Sequence, residues 1–359
     1  MSRIRIEELS KSYRGSKALA AIDLEIEPRS FTVICGPPGS GKSVLMRILI
    51  GLESPDTGRI LVDDTDITSL PAASRSIGYV PQSFALFPQM SVFDNVAYPM
   101  KLQGVPRAEI VSRVDQAASM LRIGKLLRKR PSELSGGEKQ RAAIARGILK
   151  NANTFILDDP LVGLDFKLRE SLMDDLKDLR AELDATFLYI TSDSLEALTM
   201  ADRLVVMDAG RVLQSGPVET VYQQPSVLRA AELVGFPRCN VLSGRLEDGT
   251  CVTPLHRFGA LTNQDVGDVT VMIRPEAIRH DLTAPALTGE IRLVENLGAE
   301  SVVYFDAAGQ ALVTTAPSRD VAGLDIGAPF PFSLRPETIL LYHSATGALI
   351  GRGREPAIA

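Results

Sequence analysis

The stretch FTVICGPPGSGKSVLMRIL, Phe31 to Leu49, decides how the chain is read. A short run of β-forming residues, FTVIC, leads into glycines and prolines, and an apolar pattern of helical spacing follows. The eight residues Gly36, Pro37, Pro38, Gly39, Ser40, Gly41, Lys42 and Ser43 fit G-x-x-x-x-G-K-[ST] between that strand and that helix. In this pattern glycines let backbone N–H groups close around phosphate oxygens, and the helix N-terminus favours their negative charge. Lys42 is placed to reach the terminal phosphates and Ser43 to ligate Mg²⁺.

Outward from this loop, strand-like and helix-like runs alternate up to about Gly216, which predicts a mostly parallel sheet wrapped by helices. Leu168, Leu172, Leu176, Leu179 and Leu183 form one apolar stripe, the mark of a helix packed on that sheet. Between about 84 and 150 helical patterns displace strands, as though a helical subdomain were inserted, and FPQMSVFDNVAYP at its entrance predicts irregular backbone with exposed aromatics. A second apolar strand, FILDD, ends in Asp158, suited to hold Mg²⁺ through water. In LSGGEKQRAAIARGIL, Leu134 to Leu149, Ser135 stands three residues before Glu138, a capping box. With Gly136 and Gly137 between them, bare N–H groups at a helix start also offer a second anion-binding surface.

The 359 residues suit two domains. Hydrophobic residues make up 45% and charged residues 23%, and no apolar run approaches the ~18 residues of a membrane span. The net charge of −5 disfavours a phosphate-backbone partner, so nucleic acid is not expected. Cys35, Cys239 and Cys251 follow no ligand spacing, and the start MSRIRIEELS has no apolar core behind its basic residues, which predicts a cytosolic chain with reduced thiols. Beyond Pro237 short β-like runs take over, so domains of 1–237 and 238–359 are expected. IRPEAI at Ile273 is echoed by LRPETI at Leu334, a hint of two related β units in one barrel-like module.

The LSGGE run, together with the phosphate loop, resembles the signature of the ATP-binding subunits of ABC transporters, and the likeness spans nearly the whole chain. It implies an α/β P-loop NTPase fold with an inserted helical subdomain and a C-terminal all-β, OB-like, TOBE-type domain of the kind found on maltose-type carbohydrate importers. By this resemblance the cofactors are ATP and Mg²⁺, with the metal held by Ser43, Gln82 and Asp158. Tyr13 would stack on adenine, Gln82 would report to the membrane subunits, and Asp165 would end a loop crossing a dimer interface. Ser135, Gly136, Gly137 and Glu138 would act on the ATP of a second, head-to-tail ATPase subunit. The implied partners are that subunit, two transmembrane permease subunits and, indirectly, an extracytoplasmic solute-binding protein, with the chain peripheral on the cytoplasmic face of the inner membrane.

The catalytic positions depart from the family pattern. Asp159 stands where a glutamate polarises water, and Ser192 stands where a histidine follows YIT; the chain's histidines, His256, His280 and His343, all lie in the last third. Val162 replaces a serine in the crossing loop. A displacement of about 1 Å can cost on the order of a hundredfold in rate. Loss of one donor to the transition state costs roughly a hundred- to a thousandfold. These losses are not additive, but a combined thousandfold would take a turnover of about ten per second to roughly one every two minutes. The expectation is a degenerate site that binds ATP, hydrolyses it weakly and pairs with a different chain bearing intact Glu and His. Two alternatives stand beside it: a symmetric homodimer in which Asp159 and Ser192 are tolerated, and a soluble regulatory ABC ATPase without a membrane partner.

Overall fold

The strand Phe31–Cys35 is buried along its whole length, as expected of a parallel strand covered on both faces. In the computed structural model, which describes residues 3–150, 152–263 and 267–355, it lies third in a six-stranded sheet. The order is Arg211–Pro217, Arg203–Asp208, Phe31–Cys35, Thr186–Thr191, Thr154–Asp158 and Ile77–Val80. All neighbours pair in parallel except the outermost strand, Arg211–Pro217. Because the central strands run the same way, their carboxyl ends bring Gly36, Asp159 and Ser192 to one edge of the sheet, where such folds place ligands. The helix Lys42–Leu49 follows, and its carboxyl end is held by buried Arg75, which donates to the carbonyls of Ile48 and Leu49 at 2.6 and 2.7 Å. A second sheet, four antiparallel strands, packs Ile4, Ile6, Leu24 and Ile26 into the same core as Leu45 and Leu49. The strand–helix alternation in the sequence did not distinguish it from the main sheet.

The helical insertion lies between Ile77–Val80 and Thr154–Asp158, which are neighbours in the sheet. Its helices are Val92–Leu102, Arg107–Met120 and Gly136–Ile148. From 84 to 91 the chain is irregular: Phe84 and Ala85 adopt left-handed φ of 60 and 50°, with their carbonyls held by Arg146 at 2.8 and 2.6 Å. The rest of FPQMSVFDNVAYP is helical from Val92, and Phe87, Phe93 and Tyr98 are half-buried instead of exposed, Phe87 packing on Tyr98. In the helix Phe166–Glu182, Leu172, Leu176 and Leu179 are buried as the stripe predicts, while Leu168 and Leu183, which follows the helix as its C-cap, are only half-buried. Asp175 is buried with them, paired with Arg141 at 2.6 Å, which an apolar pattern cannot foresee.

The chain divides into two units, Met1–Val218 and Glu219–Ala359, earlier than the boundary expected at Pro237. The intervening residues fold onto the second unit. Leu228 and Ala231 pack against Met272, Leu340 and Tyr342. Arg274 donates to the carbonyls of Tyr222, Ala231 and Val234 at 2.8, 3.1 and 2.6 Å, and the Tyr342 hydroxyl to that of Pro225 at 2.9 Å. The second unit contains a closed six-stranded barrel, Asn240–Glu247, Thr250–Val252, Arg257–Thr262, Leu349–Arg354, Leu340–His343 and Asp268–Ile273 in spatial order. A five-stranded sheet shares its core, where Phe305 meets Phe330 and Phe332 at 4.8 and 5.0 Å between ring centroids. The echoed RPE segments are matching corners between the barrel and the sheet. One carries the chain from barrel to sheet and the other carries it back.

Candidate nucleotide-binding site

The phosphate loop has the conformation its glycines permit. Gly39 and Gly41 sit at φ of 82 and 100°, in the left-handed region that other residues enter at a cost. Gly41 is the N-cap of the helix Lys42–Leu49 and brings no side chain to cap it, so the first N–H groups of that helix are left to a ligand. At Gly36 a Cβ would come within 2.1 Å of the Met207 carbonyl oxygen, so only glycine fits. Lys42 is 6% exposed, and its Nζ donates to the carbonyls of Gly36 and Pro37 at 2.6 and 3.0 Å. Burial lowers its pKa, and the charges of Asp159 and Asp158 act in the opposite direction. Neutral carbonyls compensate a buried ammonium only partly, and anionic oxygens would compensate it better. Beside this lysine lies a cleft of about 340 Å³, lined by the loop from Pro38 to Ser43 and, across from it, by Asp159 and Ser192.

The facing wall comes from two neighbouring strand ends. Asp158 closes the strand Thr154–Asp158, and Asp159 follows at φ 42° with its N–H bonded to the Ile190 carbonyl at 2.8 Å. Burial raises the pKa of both carboxyls, and the charge of Asp159 raises that of Asp158 further. The Ser192 backbone N–H, Lys42 and the Thr191 hydroxyl pull Asp159 back toward ionisation. Asp159 Oδ1 is nonetheless buried with no hydrogen-bond partner. The cleft wall presents oxygen donors of the kind a hard cation takes, the Asp159 carboxyl with its lone buried oxygen and the Ser43 hydroxyl, while Asp158 accepts from the Tyr79 hydroxyl at 3.3 Å and does not itself line the cleft.

Support for the Ser192 turn escaped the sequence reading. Glu196 is buried and accepts from the hydroxyls of Tyr189 and Thr191 at 2.8 and 2.9 Å. Arg169 reaches Asp193 at 3.2 Å and Glu196 at 3.6 Å. Asp193 caps the next helix through the N–H groups of Leu195 and Glu196 at 2.8 and 3.1 Å. The spacing of Asp193 and Glu196, a helix-start signal, was the available clue.

The remaining expected residues stand elsewhere in the first unit. Gln82 is exposed at the entrance to the loop that Arg146 holds. Tyr13, 39% exposed at the end of its strand, donates its hydroxyl to Glu53 and accepts from Arg47 at 3.4 Å. Ser135 and Glu138 make both bonds of the capping box, the Glu138 carboxylate accepting from Ser135 N–H at 2.7 Å and Ser135 Oγ from Glu138 N–H at 3.3 Å. Ser135 and Gly136 are exposed and Gly137 is buried, and none of the four residues lines the chain's own cleft. Asp165 is exposed and caps its helix through Leu168 N–H at 3.0 Å.

A glycine loop between buried strand and helix, facing acids on the adjacent strand, defines a P-loop nucleotide-binding ATPase. The ABC transporter family model matches residues 19–162, and a TOBE domain model matches residues 271–342. The sn-glycerol-3-phosphate import ATP-binding protein UgpC of Cupriavidus necator is 36% identical over 98% of this chain and 100% of its own length. The spermidine/putrescine import ATP-binding protein PotA of Aliivibrio fischeri is 34% identical over 90% of each. Among solved structures, cbiO1 from Clostridium perfringens aligns with a TM-score of 0.57 at 33% identity, covering 64% of this chain and 94% of that one. A dimeric post-hydrolysis state of the ATP-binding cassette MJ0796 bound to ADP and Pi aligns with a TM-score of 0.55 at 28% identity, covering 60% and 98%. The chain belongs to the ATP-binding proteins of ABC transporters and is an ABC-type ATPase coupled to transport.

Proposed function

We propose that this chain is the energy-coupling subunit of an importer for a carbohydrate or polyol-like solute, and the degenerate half of a heterodimeric ATPase pair. The observation that carries the reading is the 340 Å³ cleft, in which an intact phosphate loop faces Asp159 and Ser192 in place of a longer carboxylate and an imidazole. The solute class is supported by relatives named for sn-glycerol-3-phosphate import, such as those of Cupriavidus necator and Bordetella avium, together with the TOBE match. No helix among the described residues is long and apolar enough to cross a membrane, which accords with a peripheral subunit docked on two permease subunits at the cytoplasmic face. A solute-binding protein would deliver cargo to those permeases from the other side.

In this reading the N–H groups opening the helix Lys42–Leu49 and the Lys42 ammonium grip the ATP phosphates, and Tyr13 stacks on the adenine. Mg²⁺, when bound with ATP, would offset phosphate charge; Ser43 would hold it from the cleft wall, with Asp158 and Gln82, which lie outside the cleft lining, as the further ligands the family resemblance implies. Asp159 takes the position of the base but ends one methylene short, and the Ser192 hydroxyl cannot supply the charged donor that an imidazole would. Asp165 and the Ser135 to Glu138 helix start, which lie away from the chain's own cleft, serve the ATP of the partner. The partner then carries the glutamate and histidine that this chain lacks.

The test is to purify the chain and measure nucleotide binding and γ-phosphate release separately. Tight binding with release on the order of one event per minutes fits the proposal. Release many times a second by the chain alone would place Asp159 and Ser192 among tolerated variants and make the ATPase a symmetric homodimer.

A further inference from the structure

The second unit contains a cleft that belongs to no step above. The barrel strand Asp268–Ile273 turns through Arg274, Pro275 and Glu276 into Ile278–His280 of the sheet, and Pro329–Leu334 of the sheet turns through Arg335, Pro336 and Glu337 back into Leu340–His343. Both corners, with part of the strand Leu349–Arg354, wall a cavity of about 940 Å³.

The twin arginines of the two corners do different things. Arg274 is 7% exposed, spends its guanidinium on three backbone carbonyls and stacks 4.1 Å from the Tyr222 ring centroid. Its Nε is buried with no partner. The side chain of Arg335, at the matching place, holds no carbonyl among the described residues. Among the described residues, the side chains of Arg279, Arg335 and Arg352 all line this cavity and have neither a hydrogen-bond nor an ion-pair partner. Three guanidiniums without a direct partner outnumber the two carboxylates that share the concavity, Glu276 and Glu337, and a phosphate, with its bidentate fit to arginine, relieves the repulsion that remains. The volume far exceeds that of a bare oxyanion. The remaining wall is mixed: Leu340 and Ile350 offer apolar cover, Glu337 can accept from hydroxyls, and Glu276, which accepts from the Tyr222 hydroxyl at 2.8 Å, keeps a second carboxylate oxygen for the same purpose.

We infer that this cavity binds a hydroxylated organic phosphate of sugar-phosphate size. Arg279, Arg335 and Arg352 take the phosphate, the glutamates take hydroxyls, and the aliphatic wall covers the carbon skeleton. The site is independent of the phosphate loop and of the heterodimer reading.

The experiment uses the full chain with Lys42→Ala, so that the phosphate loop contributes little to the signal. Titration calorimetry at fixed ionic strength compares glucose 6-phosphate, glycerol 3-phosphate, inorganic phosphate and glucose. Saturable one-to-one binding of a phosphate ester is expected, tighter than inorganic phosphate, with no binding of glucose. Arg335→Ala should weaken that binding about tenfold or more, and Arg335→Lys less, as loss of a charge-assisted hydrogen bond predicts. Because the Arg335 side chain has no partner among the described residues, its variants should melt as the parent does without ligand; Arg279→Ala provides a second loss-of-charge variant. No saturable binding, equal affinity for inorganic phosphate and the esters, or binding undiminished in both alanine variants would overturn the inference.

Discussion

The two walls of the nucleotide cleft are built by different means. The phosphate-loop wall is backbone: its N–H groups point as they do because Gly39 and Gly41 occupy left-handed φ and Gly36 leaves room for the Met207 carbonyl. The facing wall is side chain: Asp159 and Ser192 extend from adjacent strand ends, and what they can do depends on the length and charge of each group. A one-residue change in the first wall removes the binding geometry. The same change in the second leaves the cleft intact and alters only reach, so grip on a nucleotide and attack on it can be lost separately.

The sharpest way to break this comparison is to restore the second wall alone. Asp159→Glu with Ser192→His should raise γ-phosphate release by roughly a hundred- to a thousandfold while nucleotide affinity stays nearly level, since a restored donor acts on the transition state. Single-turnover release by the double variant, compared with the parent, reads this directly. An unchanged rate would place the defect outside the two substituted positions.

The next effect belongs to the first wall. Lys42→Ala should weaken nucleotide binding by about ten- to a hundredfold, the scale of charge-assisted hydrogen bonds. Fluorescent-nucleotide titration measures it. A loss in release without a loss in affinity would erase the distinction between the walls.

What the sequence made legible follows the same division. The phosphate loop could be read because glycine spacing is a local backbone property, and the position of Asp158 because an apolar strand ends there. The capping box of Ser135 and Glu138 was legible for the same reason, its two bonds spanning three residues. Contacts between distant side chains were not. Arg146 holds carbonyls about sixty positions upstream, and Arg169 braces a turn in a different element. The division at Val218 was hidden because the helix Leu228–Leu233 resembles the helices before it, and only its burial against Met272 and Tyr342 shows which unit it joins. The RPE echo was visible, but that it marks two crossings between barrel and sheet could be seen only from strand pairing.

Arg146 offers an intermediate test, because it is a side chain doing backbone work. Arg146→Ala leaves the Phe84 and Ala85 carbonyls to water and should cost about 1–2 kcal/mol in stability. Amide exchange should quicken across residues 81–91 and remain near parental rates in Gly36 to Ser43. Faster exchange spread over the phosphate loop would mean that the two regions are one cooperative unit and that the first wall is not set locally.

The smallest effect probes a region that belongs to neither wall. Ser135→Ala removes the N-cap of the helix Gly136–Ile148 and should lower stability by about 1 kcal/mol in denaturant melts. Affinity of the isolated chain for nucleotide should not change, because Ser135 is exposed and does not line the cleft. The outcome discriminates because the stability cost is expected whichever ATP the helix serves. A drop in the chain's own affinity would mean that this helix start closes over the same nucleotide as Lys42. The cleft would then have a third wall supplied from within the chain, and the head-to-tail arrangement would lose its basis. Unchanged affinity, with the small stability loss present to show that the cap was removed, excludes a role for those N–H groups in the chain's own cleft and leaves the proposed service to another subunit's ATP standing.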